Sequence, residues 1–337
     1  MRKFLIAFFF IGTNACVHVK KEIPYEYMQA EVMYEDMVTK LPGSIFIKDS
    51  IFVWHDVFAR DSFLNVINLN SRSPVGRYGK IGRGPQEFTT PMLGDCFNDE
   101  VIIYDANGSF QTIFQIGPYL KGEKQYKTLP FTIKRFCTSV VRIGDNEFVC
   151  LQPDQPSFLL HILQEDAESF GISPFNYEYT NGYDVNQGHI AYNYHNETLV
   201  YAMIGYPFLA IYRKYDDGFK LVGKNEGDQS YSFSKKKIIL DSKRRGIFSI
   251  ALTQNYIIAH QRDYAQNVSD ERSAGLDVSK APSTLFLYNY NGDLVKIVDL
   301  GVPIVRLNSN FHSRVLYAVV ANPDYSLVRV VIDDKQQ

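Results

Sequence analysis

The sequence predicts an all-β protein, a six-bladed β-propeller of four-stranded antiparallel blades whose ring is closed by an N-terminal strand. Three observations predict it. Beyond the first sixteen residues amphipathic helical patterns are nearly absent, and short runs rich in Val, Ile, Phe and Tyr are separated by Asn, Asp and Gly. Many of these runs pair across turns carrying Asn or Asp, as antiparallel hairpins do. The paired unit recurs six times, with third strands centred near Val66, Ile103, Leu160, Ala210, Phe286 and Arg329, about 53 residues apart on average. That is the length of a four-stranded blade. A two-sheet sandwich would rarely hold so many strands in one domain. The 337 residues suit one large domain or two by length alone, and six blades account for most of them as one ring.

Composition excludes several classes. A hydrophobic share of 45% with 14% aromatics is too apolar for a disordered chain. With 35 Lys and Arg against 37 Asp and Glu, the formal net charge is -2. The chain therefore lacks the basic balance of a general nucleic-acid binder, and no nucleic-acid partner is expected.

The elements follow in order. Arg2 and Lys3 precede an apolar run at 4–12 (FLIAFFFIG). Spanning helices need about twenty apolar residues, so this run fits the core of a signal peptide. Thr13-Asn14-Ala15-Cys16 follows, and Ala15-Cys16 resembles the end of a bacterial lipobox, in the relaxed form found in Bacteroidetes-type bacteria. The resemblance implies that residues 1–15 are a lipoprotein signal peptide and that Cys16 is lipidated, giving more than the two anchoring signals stable attachment needs. Removing 1–15 takes Arg2 and Lys3 but no acid, which leaves a net charge of -4. Residue 17 is Val rather than an inner-membrane retention Asp, and VHVKKE lacks an acidic surface-export cluster. An outer-membrane lipoprotein of the cell envelope, facing the periplasm, is expected. Residues 16–40 are read as tether, with 26–34 (EYMQAEVMY) able to complete the last blade, and 41–337 as the propeller.

Within the propeller, hairpins are predicted at 44–47/51–54, 140–143/147–151, 189–194/198–204, 248–253/256–260 and 306–308/315–320. Outer pairs are predicted at 101–104/110–116, 208–213/219–222 and 285–290/294–300, the last across Asn291-Gly292-Asp293, the strongest short hairpin signal. The longest loop is read at 261–282. If Cys16 is lipidated, Cys96, Cys137 and Cys150 allow one disulfide at most. All three adjoin apolar residues, which suits buried free thiols.

Between the first two blades lies Gly79-Lys80-Ile81-Gly82-Arg83-Gly84-Pro85-Gln86-Glu87-Phe88. Its glycines can take positive φ in a tight blade-to-blade excursion. Pro85 fixes the turn, Glu87 can accept backbone N–H bonds and Phe88 can plug between blades, so a blade-linking role is expected for Gly79, Gly82, Gly84, Pro85, Glu87 and Phe88. A direct ligand role for Arg83 or Glu87 is the alternative. The segment closely resembles the G-x-x-G-x-G-P-G-E-F loop of the six-bladed propeller lipoproteins of Bacteroidetes, related to NHL-repeat and TolB-like propellers; Gln86 replaces the usual Gly. It matches no phosphate-binding loop.

In a propeller the loops joining strands two and three share one face with the blade-to-blade loops, around the channel mouth. His55, Asp56, Arg60, Asp61, Asp154, His260, Arg262, Asp263, Asn322 and Asp324 are expected there, as a candidate ligand rim or as solvated loop residues. No nucleophile elbow or H-E-x-x-H motif occurs. His189 and His195, six apart with tyrosines between them, do not read as a zinc pair. Six-bladed lactonases hold calcium in the channel, and Asp56, Asp154, Asn322 and Asp324 could imitate their oxygen ligands. Lys235-Lys236-Lys237 with Lys243-Arg244-Arg245 could meet an anionic surface or simply be solvated. Asp49-Ser50-Ile51, in a predicted turn, resembles a Bacteroidetes O-glycosylation motif. The expectation is a membrane-tethered, non-enzymatic binding or scaffold module for a protein, peptide or glycan, with no metal or other cofactor. The alternative is a calcium-dependent hydrolase or lyase.

Overall fold

The computed structural model describes residues 22–332 except 98, 109, 124–126, 130–131, 134–136, 165 and 267–276. The signal segment and Cys16 lie outside the described residues.

The chain forms six antiparallel blades in sequence order. Blade one comprises Pro42–Lys48, Ile51–Asp56, Leu64–Asn68 and Ser73–Tyr78. Blade two comprises Pro91–Phe97, Glu100–Asp105 and Gln111–Gln115, with an Ile113–Lys127 bridge where a fourth strand would run. Blade three comprises Ser139–Gly144, Glu147–Leu151, Leu159–Leu163 and Asp166–Phe170. Blade four comprises Gly188–Asn193, Thr198–Met203, Phe208–Tyr215 and Gly218–Glu226. Blade five comprises Ser249–Leu252, Ile257–His260, Thr284–Tyr288 and Leu294–Asp299. Blade six comprises Ile304–Ser309, Val315–Ala321 and Tyr325–Val331. First strands of neighbouring blades touch from blade two through blades three, four, five and six to blade one, so these strands line a central channel.

Each adjacent pair of blades shares its own apolar core, which is why the strands show alternating or continuous apolar patterns without one common centre. Val53, Val66 and Phe88 pack with Ile103 and Phe114 between blades one and two. Ile102 and Tyr104 pack with Val140, Phe148 and Cys150 between two and three, and Phe158 and Leu159 pack with Tyr201 and Phe208 between three and four. The same arrangement joins four to five, five to six and, through Val319 and Leu327 against Phe52 and Trp54, six to one. Cys137 and Cys150 are buried free thiols in the core between blades two and three, and Cys96 is free on the inner strand of blade two.

The ring closes through the N-terminal segment. Glu31–Tyr34 pairs antiparallel with Tyr325–Val331, in register Glu31 to Arg329 and Tyr34 to Leu327, as the outer strand of blade six. The stretch read as one strand at 26–34 is in fact divided. Tyr25–Tyr27 runs parallel to Leu294–Asp299 as a fifth strand of blade five, and Met28 and Ala30 pack on the core between blades five and six.

Two other elements differ from expectation. Ile103 belongs to the second strand of blade two, and the third is Gln111–Gln115. The first strand, PMLGDCF, carries Gly94 and Asp95 and so hides its period. The basic run Lys235-Lys236-Lys237 sits at the tip of an extra hairpin, Tyr231–Ser234 with Lys237–Leu240, between blades four and five.

Candidate ligand site at the channel mouth

First strands run from the mouth face into the channel and second strands return. Residues opening a first strand therefore meet residues closing a second one. His55 and His260 close second strands of blades one and five. His189 opens the inner strand of blade four, and Arg306 that of blade six. Burial lowers all three imidazoles to about 4, and the Arg306 charge adds to each depression. They are neutral at physiological pH. His260 Nε2 lies 2.9 Å from the Pro282 carbonyl. His55 fits against the bare backbone of Gly43, where a Cβ would stand 2.6 Å from Nδ1. His189 Nε2 is buried without a hydrogen-bond partner among the described residues.

Arg306 is the charge common to all three imidazoles, with Asp56 acting also on His55 and Arg262 on His260. Its Nη1 donates to the Val305 carbonyl at 2.7 Å, and it forms no ion pair with any described residue. Burial lowers its pKa, with an opposing contribution from Tyr325. A half-buried guanidinium with donors left over among the described residues, beside imidazoles that add no charge, is suited to an anionic group such as a carboxylate, sulfate or phosphate. Asp56 lies beside His55, but its Oδ1 already accepts from Thr39 Oγ1 at 2.8 Å and from Phe58 N at 3.1 Å.

The remaining rim residues separate. Arg60, Asp61, Asp154, Asn322 and Asp324 are exposed in turns. Arg262 and Asp263 are buried and line a different cleft of about 170 Å³ over blade five, with Tyr25, Tyr27 and Asp299 among its other walls. There Arg262 Nη2 donates to the Lys280 carbonyl at 2.5 Å, and Tyr25 Oη donates to Asp299 Oδ2 at 2.8 Å. Of the residues expected on the rim, His55, Asp56 and His260 gather near the channel mouth. Sequence reasoning missed Arg306 and His189. The available signal was a charged residue inside an otherwise apolar inner-strand run, Ile304–Ser309 (IVRLNS), where charge is costly.

The glycine-rich segment lies between blades and reaches this cluster only through the Phe63 ring, whose centroid is 5.8 Å from that of His55. Phe88 is fully buried, 5.3 Å from the Phe63 ring and 4.8 Å from that of Phe110. Glu87 accepts from Gly84 N at 2.8 Å and pairs with Lys80. Glycine is required at Gly79, where φ is +75° and a Cβ would stand 2.3 Å from the Phe63 ring. Gly82 presses its backbone against Glu87, and a Cβ there would come within 2.0 Å of Oε2.

No protein-family model matches the chain, and no curated protein does. Solved structures do resemble it. Regucalcin from Agrobacterium tumefaciens, described as a calcium-binding protein, superposes with a TM-score of 0.54 at 8% identity, over 93% of this chain and 97% of its own. A member of the DUF4221 family from Bacteroides vulgatus superposes with a TM-score of 0.52 at 14% identity, over 91% of this chain and 97% of its own. At these identities the likeness is one of fold, the six-bladed β-propeller.

Proposed function

We propose that this chain is a non-enzymatic binding module of the bacterial cell envelope, anchored in the outer membrane through lipidated Cys16 and facing the periplasm. It belongs, on this reading, with the Bacteroidetes propeller lipoproteins that its 79–88 segment resembles. Its channel mouth takes an acidic group of a protein, peptide or glycan. The observation that carries the reading is Arg306, half-buried and unpaired with any described carboxylate among three neutral imidazoles. Fold and anchor agree with a scaffold role, but the chemistry of the mouth supplies the ligand class.

A second reading is calcium-dependent hydrolysis, suggested by the calcium-binding regucalcin neighbour. Calcium takes six to eight oxygen ligands. The mouth offers a guanidinium, imidazoles and one carboxylate, Asp56, whose Oδ1 already accepts two hydrogen bonds, and no group of three or more His, Cys, Asp or Glu that could hold a metal ion occurs among the described residues. The donor set therefore does not fit calcium there.

Affinity capture from envelopes, with wild type and Arg306→Met in the presence and absence of a chelator, tests the reading. The expected result is a specific partner held by wild type regardless of chelator and reduced at least tenfold by the variant. Undiminished capture by Arg306→Met would refute the mouth as the site, and capture abolished by chelator would favour the calcium reading.

A further inference from the structure

The end of the channel opposite the mouth carries a second constellation. Two turns joining first and second strands contain the same tripeptide pattern, Asn193-Tyr194-His195 in blade four and Asn310-Phe311-His312 in blade six. Each is held by the same local bond. Asn193 Oδ1 accepts from His195 N at 3.0 Å, and Asn310 Oδ1 accepts from His312 N at 3.0 Å. Blades four and six are not neighbours, so these turns meet across the channel axis. Tyr194 packs edge-on against Phe311 at 5.4 Å and against Phe97 of blade two at 5.6 Å. Aromatic rings from alternate blades thus bridge this end.

Both histidines project onto this bridge with their Nε2 atoms 2.7 Å apart and their ring centroids 3.6 Å apart at 61°, and Tyr194 Oη stands 3.1 Å from the same His312 nitrogen. A neutral imidazole nitrogen carries either one hydrogen or one lone pair. His312 Nε2 therefore cannot serve both partners fully, and a cation at their meeting point would engage all three lone pairs. Two nitrogens bound at 2.0–2.1 Å to a tetrahedral ion stand roughly 3.3 Å apart, so an opening of about half an ångström, with rotation of the two exposed rings about their side-chain bonds, converts the cluster to ligand geometry. Both histidines are exposed, so an ion can enter from solvent. The nearby Lys48 ammonium is paired with Asp99 at 3.1 Å.

We propose that His195, His312 and Tyr194 form a binding site for one late first-row divalent cation, zinc or copper, that pins blade four to blade six at the closed end of the channel. Two imidazoles and a phenol suit these borderline ions, whereas calcium and magnesium prefer carboxylate and carbonyl oxygens.

The test uses the full mature chain without a polyhistidine tag, titrated calorimetrically with zinc chloride and with copper(II) chloride, with calcium chloride as control. The expected result is one equivalent of zinc or copper bound per chain, no comparable heat from calcium, and at least tenfold weaker binding in His195→Gln and in His312→Gln. Copper electron paramagnetic resonance should show nitrogen coupling in wild type that is lost in the double variant, and an altered spectrum in Tyr194→Phe. Circular dichroism verifies that the variants are folded, as substitution in exposed turns allows. Binding in the double variant as tight as in wild type would overturn the proposal, as would absence of any stoichiometric binding. The two metals, tested separately, decide which ion the site prefers.

Discussion

At the scale of single residues, the structure separates side chains whose roles were legible from those whose surroundings had to be assembled first. The 79–88 segment was legible because its constraints are local. Gly79 needs positive φ, and Glu87 reaches an N–H only three residues away. Gly79→Ala should lower stability by about 2 kcal/mol or more, from φ strain and the Phe63 contact together, measured as a lower urea midpoint at unchanged slope. Arg306 was not legible as a site residue, because its partial burial among the imidazoles arises only when blade six meets the rest of the ring. Asp95 is a similar case. It stands on the inner strand of blade two, and burial raises its carboxyl to about 6, opposed by the Cys96 N–H. Because the folded value exceeds the unfolded one, the cost of ionising it is absent below about pH 4, grows with rising pH and levels off above pH 6. Asp95→Asn should therefore stabilise the protein by about 1–2 kcal/mol at pH 7–8, less than the full shift implies since the residue is only partly shielded from water. Thermal melts should show that advantage vanishing near pH 4. An advantage unchanged across that range would disprove the titration.

At the scale of elements, pairing order decides what the sequence reveals. Hairpins such as Thr284–Tyr288 with Leu294–Asp299 declare themselves through an Asn-Gly turn and contiguous apolar runs. The first strand of blade two does not, because a channel-lining strand is freed from apolar alternation on its inner side. The N-terminal segment was recognised as a strand but not as two, because nothing local tells residues 25–34 that they will cross from blade five to blade six. Its role makes a prediction. Tyr34 is buried against Phe52, with ring centroids 6.3 Å apart, and ends the strand that covers the edge of blade six. Tyr34→Asp places a charge in the core between blades six and one and should cost about 3 kcal/mol or more. The uncovered edge should promote association. Size-exclusion chromatography should show concentration-dependent oligomers that Tyr34→Phe does not form.

At the scale of the whole molecule, six inter-blade cores close one ring, and the ring concentrates polar groups at the two ends of its channel. The mouth collects neutral imidazoles around a half-buried guanidinium, and the burial of those imidazoles makes the protein sensitive to acid. His55 and His260 have folded values near 4, against about 6.5 unfolded. The unfolded chain therefore binds more protons between pH 6.5 and 4, and stability falls as pH drops through that window, by up to about 3 kcal/mol for each histidine. Replacing His260 by Phe should flatten the loss between pH 6 and 4 in denaturant titrations; an unchanged slope would contradict its burial as a neutral base. The central claim is that this mouth takes an anion through Arg306. The most direct measurement is a phosphate and sulfate titration of the mature chain with isotope-labelled histidine, followed by the imidazole NMR signals of His55, His189 and His260. The account predicts saturable shifts in all three that disappear in Arg306→Met. Signals that do not move, or that move equally in the variant, would contradict it.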